Sequence, residues 1–186
     1  MKVLVTGGAG FIGHHVVRLL VERGDEVRVA LAPGEAETNL DGLPCERVVA
    51  DVRDLPSVRQ AVDGCEAVIH MAAIYALWMP DWRPLYQVNV QGTSNVLAEC
   101  ARAGVRRVVH TSSIAAVGVE AGLDPATEQA EFNQHGRAGH YVLSKHYSER
   151  VVQRFASEGL SVSIVNPAFP FGSLDTRQKS LLFQRN

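Results

Sequence analysis

The sequence predicts an α/β fold in which a doubly wound parallel sheet of six or more strands carries helices on both faces. Six short runs rich in β-branched residues predict buried strands, at 3–5, 26–31, 47–50, 67–71, 107–111 and 161–165. Longer segments of helical period separate them, at 11–23, 55–63, 82–103 and 140–158. Repeated strand–helix–strand units of this kind give a parallel sheet with right-handed crossovers.

Composition and charge argue against several classes of partner. The 186 residues suit one domain, and 46% of them are hydrophobic whereas 20% are charged. A net charge of −2 without a basic stripe argues against nucleic acid and membrane surfaces. No apolar run reaches the roughly 18 residues of a spanning helix, and the first residues lack the apolar core of a secretion signal. We therefore expect a cytoplasmic protein.

Cysteine and histidine do not form a metal-binding pattern. Cys45, Cys65 and Cys100 are widely spaced and odd in number, which favours reduced thiols over disulfides or a zinc site. The 7 histidines include no pair at HxxxH spacing and none joins a cysteine pair. We expect no metal ion.

A glycine-rich loop connects the first predicted strand to the first predicted helix. Residues 6–13 read Thr-Gly-Gly-Ala-Gly-Phe-Ile-Gly. Gly7 allows a tight turn, Gly10 lets the backbone approach a pyrophosphate, and Gly13 lets the helix pack close to the strand. The amino end of the helix presents free N–H groups and positive dipole charge to phosphates. The loop therefore predicts dinucleotide binding, with Phe11 and Ile12 as further contact residues.

Tyr141 and Lys145 form a YxxxK pair in the last predicted helix. A spacing of four places both side chains on one helix face. A neighbouring ammonium favours the phenolate and lowers the pKa of a phenol from its usual value of about 10. Such a tyrosine accepts a proton from a substrate hydroxyl as hydride leaves, or returns it in the reverse direction. The pair predicts hydride chemistry on a secondary alcohol or ketone.

Together these motifs resemble the short-chain dehydrogenase/reductase superfamily in its extended epimerase/dehydratase branch, which has a Rossmann fold. Segments 72–78 and 165–168 are similar to the group of dihydroflavonol reductases and hopanoid-associated sugar epimerases. The resemblance to an SSxxxxG pattern makes Ser113 the catalytic serine. Ser112 is the alternative, because strand alternation sends neighbouring side chains to opposite faces.

The same resemblance implies contacts with a bound cofactor. Lys145 would also hold the nicotinamide ribose, and Asn89 would order backbone near the active site. Asp51 and Val52 would contact the adenine. Met71, Ala72 and Ala73 would line the dinucleotide, and Pro167 would lie beside the nicotinamide.

The end of the second strand carries no clear signal for the choice between NAD and NADP. An acidic residue there would favour NAD and a basic residue would favour NADP. This chain has Ala32 where relatives of the dihydroflavonol-reductase type often have arginine. We expect NAD or NADP, with a preference for NAD.

The resemblance covers residues 1–173, which we expect to form the dinucleotide-binding domain. Residues 174–186 would then be a short tail where the family has a substrate-binding lobe, so that this lobe is largely absent. Two functions stay open. One is an NAD(P)-dependent epimerase, dehydratase or reductase acting on a secondary alcohol or ketone, such as a nucleotide sugar. The other is a dinucleotide-binding module without catalysis.

The resemblance also implies a homodimer formed through helices 82–103 and 140–158. Four apolar positions are candidates for that interface, and the alternative is that they face the sheet: Leu85, Val88, Leu143 and Val151.

Overall fold

Six parallel strands form one sheet in the computed structural model, which describes residues 1–120 and 126–174. The strands are β1 (Lys2–Thr6), β2 (Glu26–Leu31), β3 (Glu46–Val49), β4 (Ala67–His70), β5 (Arg107–Thr111) and β6 (Val162–Val165). Their order across the sheet is β3-β2-β1-β4-β5-β6, and every neighbouring pair is parallel. The chain therefore winds outward in both directions from β1 and β4, which confirms the predicted doubly wound sheet.

Among the described residues, five α-helices connect the strands: α1 (Phe11–Glu22), α2 (Leu55–Val62), α3 (Arg83–Tyr86), α4 (Thr93–Ala103) and α5 (His140–Ser157). The predicted single helix over 82–103 is wrong in one respect. A π-helical segment, Gln87–Gly92, separates α3 from α4. In the part of the chain that the structure describes, no helix has both the length and the apolar character needed to cross a bilayer.

The core has two layers because strand side chains alternate between the faces of the sheet. On one face, Val3 and Val5 join Val17 and Leu20 of α1 in a cluster that extends along β2. On the other, the central strands contribute Leu4, Val68 and Val108, and the helices contribute Val62 of α2, Val96 of α4 and Val152 of α5. Helices thus cover both faces, as predicted.

Leu85 is not available to a partner subunit. Its side chain is fully buried within the subunit, so the prediction that it lies at a dimer interface is wrong. Val88 and Val151 pack against the core cluster that α2, α4 and α5 cover. Leu143 is half-buried, and the homodimer itself stays a prediction.

Gly13 lets α1 pack against the loop that precedes it. A Cβ at this position would lie 2.1 Å from the Gly7 carbonyl oxygen and 2.7 Å from Gly8 Cα. Both contacts are with backbone, which cannot rotate away. The predicted role of this glycine in close helix packing is therefore visible in the geometry.

Gly13→Ala should lower the free energy of unfolding by about 2–3 kcal/mol, because the added methyl forces α1 away from the loop. Urea denaturation measures the change. Gly136→Ala is the matched control, since a Cβ there meets nothing within 4 Å. Equal stability of the two variants would contradict this account of how α1 is packed.

Candidate active site

A cleft of about 470 Å³ opens at the carboxyl ends of the strands, where the winding direction reverses between β1 and β4. In doubly wound sheets this crevice is where ligands bind. Most of the predicted cofactor residues line it: Gly7, Gly10, Phe11, Ile12, Gly13, Asp51, Val52, Met71, Ala72 and Ala73. The fold therefore brings together segments that are far apart in the sequence, from Gly7 to Ala73.

The glycine loop leaves an open backbone surface at the floor of the cleft. Gly7 has φ +70°, and a Cβ on it would lie 2.8 Å from the Ala72 amide nitrogen. Gly10 is the N-cap of α1 and has no side chain that could bond to the first helical amides. Among the described residues, a Cβ on Gly10 would meet the Gly7 carbonyl oxygen, at 3.3 Å. The first N–H groups of a helix have no partner within the helix. These residues therefore fit the pyrophosphate of a dinucleotide.

A buried chain of hydrogen bonds fixes the wall of the cleft after β4. The Thr6 hydroxyl accepts from the amides of Met71 and Ala72, both at 3.1 Å, so its own proton goes to His70 Nδ1 at 2.8 Å. The Thr93 hydroxyl donates its single proton to the Asn89 carbonyl. It can therefore only accept from His70, and His70 Nε2 donates to it at 3.0 Å. Burial, with Lys145 nearby, lowers the pKa of His70 to about 3, which keeps the ring neutral.

Sequence reasoning did not single out Thr6, His70 or Thr93. Thr6 directly precedes the glycine loop, and His70 begins the His-Met-Ala-Ala segment that lines the cleft. The available signal was a polar residue at the end of each of two adjacent buried strands, Thr6 in β1 and His70 in β4. Thr6 also lines the cleft, whereas His70 and Thr93 do not and act as positioning residues.

Asn89 connects the loop after β4 to α5 and is not among the residues that line the cleft. Its amide group accepts from the Ile74 N–H at 2.8 Å and donates to the Ile74 carbonyl and the Ser144 hydroxyl, each at 3.0 Å. Ser144 in turn donates to the Tyr141 carbonyl at 2.7 Å. These contacts fit the predicted ordering of backbone near the site, whereas direct contact of Asn89 with a cofactor is not supported.

Lys145 has only 5% of its surface exposed, and neither it nor Tyr141 is among the residues that line the cleft. Its ammonium donates to the carbonyl of Thr111, a cleft-lining residue, at 3.0 Å. Burial lowers the pKa of Lys145 to about 8, and Glu149 opposes part of that shift. The cation is therefore held at the end of β5 in a poorly solvated place, where its field on a neighbouring phenol is weakly screened.

Tyr141 lies one turn before Lys145 in α5 and is half-buried. Its ring meets the ring of Tyr75 edge to face, with centroids 4.8 Å apart. Tyr75 follows Ile74, which lines the cleft. The two predicted catalytic residues of α5 therefore lie against segments that form the cleft wall.

The two candidate serines differ in accessibility. Ser112 is buried, and its hydroxyl has no hydrogen-bond partner among residues 1–120 and 126–174. Ser113 is half-buried, and its hydroxyl accepts from the Ala115 amide at 3.2 Å. Ser113 is thus the more accessible of the two serines, and its catalytic role stays a prediction.

The segment after β6 is joined to the segment after β5. Asn166 donates to the Ser113 carbonyl at 3.0 Å and to Glu149 at 2.6 Å. The Ile114 amide donates to the Pro167 carbonyl at 3.1 Å. Pro167 itself is not among the residues that line the cleft, so its predicted position beside a nicotinamide stays a prediction.

The other end of the cleft carries three charged side chains, of which only Asp51 was predicted. Asp51 binds the guanidinium of Arg53 through both oxygens, at 2.6–3.0 Å, and this ion pair lowers the pKa of Asp51. Glu35 accepts from the Ala32 amide at 2.9 Å and forms no ion pair with any described residue. Glu35 and Arg53 both line the cleft.

Cys45, Cys65 and Cys100 are free thiols, the last two buried. Within the described ranges no three histidine, cysteine, aspartate or glutamate side chains gather into a group that could hold a metal ion.

Comparison with known proteins identifies relatives over almost the whole chain. A putative dihydroflavonol 4-reductase of Synechocystis sp. is 39% identical over 173 residues, which cover 93% of this chain and 50% of the relative. Sterol demethylase protein B of Methylococcus capsulatus is 40% identical over 183 residues, which cover 95% and 54%. The chain therefore spans about half the length of the curated relatives that it matches.

A solved structure shares the fold. The dTDP-glucose 4,6-dehydratase DesIV of Streptomyces venezuelae, a double mutant crystallised with NAD, superposes with a TM-score of 0.82 at 30% identity. The superposition covers 99% of this chain and 61% of that enzyme. The model of the NAD dependent epimerase/dehydratase family matches residues 3–185. The chain belongs to that family.

Proposed function

We propose that the chain binds NAD(P) in the cleft and supports hydride transfer between the nicotinamide and a secondary alcohol or ketone, as an epimerase, dehydratase or reductase. One observation carries this proposal. The Lys145 ammonium is buried against the Thr111 carbonyl, one helical turn from Tyr141, at the edge of a cleft whose floor is the glycine loop. Burying a cation costs stability, and titratable groups with strongly shifted pKa values cluster at functional sites, so the burial of this ammonium favours a functional role.

The proposed placement of the dinucleotide follows the order of the cleft residues. The uncapped amides after Gly10 hold the pyrophosphate, and Val52 contacts the adenine. Ala72 and Ala73, with small side chains, let the dinucleotide lie against the strand ends. Lys145 holds the nicotinamide ribose. The bound dinucleotide supplies a hydride acceptor or donor.

Tyr141 is the acid/base in this proposal. Its hydroxyl takes the proton of the substrate alcohol during oxidation and returns it during reduction. Lys145 favours the phenolate by its charge, and Ser113 donates a hydrogen bond to the substrate oxygen and orients it. All three groups belong to elements that meet at the carboxyl end of β5.

NAD is the preferred cofactor in this proposal, because the adenosine end of the cleft has a surplus of negative charge. Asp51 neutralises Arg53, and Glu35 remains as a carboxylate at the loop after β2. A 2′-phosphate would meet repulsion there, whereas a ribose hydroxyl can donate to a carboxylate.

Tyr141→Phe should lower kcat/KM by a factor of about 10²–10⁴ and leave the Kd for NAD unchanged, because it removes only the transferred proton. NADH absorbance with a panel of secondary alcohols and nucleotide sugars measures turnover. Tyr147→Phe, on an exposed part of the same helix, is the control. Unchanged turnover in Tyr141→Phe would refute the assignment, and NAD binding without any wild-type turnover would favour the non-catalytic module.

Glu35→Gln should lower the ratio of Kd for NADP to Kd for NAD about fivefold to tenfold, because it removes the repulsion of a 2′-phosphate. Titration calorimetry with each dinucleotide measures the ratio. Glu37→Gln changes the net charge equally, but Glu37 binds Arg47 and is not in the cleft lining, so it should leave the ratio unchanged. The same shift in both variants would mean that net charge, not position, sets the preference.

Between about pH 8 and pH 10.5, Lys145 should make the free energy of unfolding of the wild type increase with pH. Lys145→Met should lack this increase. The buried ammonium loses its proton near pH 8 in the folded chain, whereas the unfolded chain retains it to about 10.5. The folded state binds fewer protons in this window, so wild-type stability rises with pH relative to the variant, by about 3 kcal/mol in total.

Urea denaturation at pH 7.5 and pH 10 measures that difference. Lys2→Met is the control, because Glu26 and Glu46 raise the pKa of Lys2 and its contribution does not grow in this window. If the free energy of unfolding of the wild type does not increase from pH 7.5 to pH 10 relative to that of Lys145→Met, Lys145 is solvated in the folded chain.

A further inference from the structure

A buried amide of α4, that of Asn95, is bonded to the backbone at the adenosine end of the cleft. Asn95 Nδ2 donates to the Val52 carbonyl at 2.9 Å. Val52 lines the cleft, whereas Asn95 does not. Because a backbone carbonyl can only accept a hydrogen bond, the nitrogen of the Asn95 amide, and not its oxygen, must face Val52. The orientation of this amide is therefore determined.

The oxygen of the same amide is held by the π-helical segment Gln87–Gly92. Gln91 Nε2 donates to Asn95 Oδ1 at 3.0 Å, and Gln91 itself is exposed. An amide oxygen can only accept, so Gln91 must be the donor. Segments of π-helix are frequent at functional sites. Here the segment supplies the group that selects the orientation of Asn95.

The bond from Asn95 completes the fixation of the backbone around Val52. The carbonyl of the preceding residue, Asp51, already accepts from the Asp54 amide at 2.9 Å, within the same short stretch of chain. The Val52 carbonyl is held from another element, α4. Gly92 lies against the Val52 side chain, since a Cβ on Gly92 would be 2.6 Å from Val52 Cγ2. The peptide groups on both sides of Val52 are therefore fixed.

We propose that Asn95, oriented by Gln91, is a positioning residue of the dinucleotide site, and that it holds the backbone of Val52 in the place where the adenine binds. The inference rests on the proposed function and deepens it at the adenosine end. Asn95 acts through the Val52 carbonyl, and Gln91 acts through Asn95. Loss of either bond weakens binding of the adenine and leaves the nicotinamide end of the site as it is.

Gln91→Glu tests the inference without a change in the core, because Gln91 is exposed. A carboxylate cannot donate to Asn95 Oδ1, so the amide turns round and presents its oxygen to the Val52 carbonyl. The Kd for adenosine should rise about threefold to tenfold, because one hydrogen bond between neutral groups is lost. Adenosine is uncharged, so the new carboxylate does not repel it. Nuclear magnetic resonance titration of the full chain measures the Kd.

Two further variants separate orientation from charge. Gln87→Glu places the same charge on the same π-helical segment, but the donor to Asn95 remains, so the Kd for adenosine should stay at the wild-type value. Gln91→Lys supplies another donor for Asn95 Oδ1 and should also keep the wild-type Kd. The Kd for nicotinamide mononucleotide should be the same in Gln91→Glu and Gln87→Glu, which a general loss of structure would not allow.

The results decide between distinct outcomes. A loss of adenosine affinity in Gln91→Glu that is absent from both other variants supports the inference. An unchanged Kd for adenosine in Gln91→Glu overturns it, and so does an equal loss in Gln87→Glu or in Gln91→Lys. An equal loss of nicotinamide mononucleotide also overturns it, because the role of Asn95 would then be structural. Binding of NAD⁺ without binding of adenosine places the adenine elsewhere and overturns it too. Failure of the wild type to bind NAD⁺ refutes the proposed function itself.

Discussion

The arrangement of the site depends on the burial of one ammonium group, that of Lys145. A buried charge is costly, and a carbonyl at the end of β5 supplies the partner that makes it tolerable. The bond fixes the depth and rotation of α5 against the sheet. Ser148, bonded to His110 of β5 at 3.3 Å, and Val152, in the core, extend this contact along the helix. Tyr141 thereby has a defined place above the strand ends.

A second set of buried polar groups relates that helix to the glycine loop. Thr6, His70, Thr93 and Asn89 form a chain of hydrogen bonds that leads from the end of β1 to Ser144 of α5. Every link has a determined donor because each hydroxyl has a single proton. Fully satisfied buried networks make a structure rigid. The glycine loop and α5 are therefore positioned relative to each other by buried side chains.

The strands and the cleft were predictable from local sequence, whereas the details of the site depend on tertiary contacts. The limits of β5 were predicted to the residue, because a short β-branched run between turn signals has one interpretation. The π-helical segment was not predictable, since apolar residues continue at helical spacing through 82–103. A Cβ on Gly92 would meet Val52 at 2.6 Å, a close approach visible only in three dimensions.

Two other results show the same limit. Alternation along a strand could not show which of Ser112 and Ser113 is accessible, whereas the structure shows that Ser112 is buried. Glu35 was not predicted because the charged residue that selects the cofactor was expected at Ala32, whereas the turn after β2 brings the Glu35 carboxylate back to the Ala32 amide. Leu85 was placed at a surface because helical spacing identifies an apolar face but not what covers it.

The central claim is that a dinucleotide lies in the cleft with its nicotinamide beside Tyr141 and its adenine beside Val52. Isotope-filtered nuclear Overhauser measurements on the NAD-bound chain, with labelled tyrosine rings and valine methyls, test it directly. The account predicts contacts from the nicotinamide protons to the Tyr141 ring and from the adenine protons to the Val52 methyls. Nicotinamide contacts to Val52, or no contact to Tyr141 in a chain saturated with NAD, would contradict it.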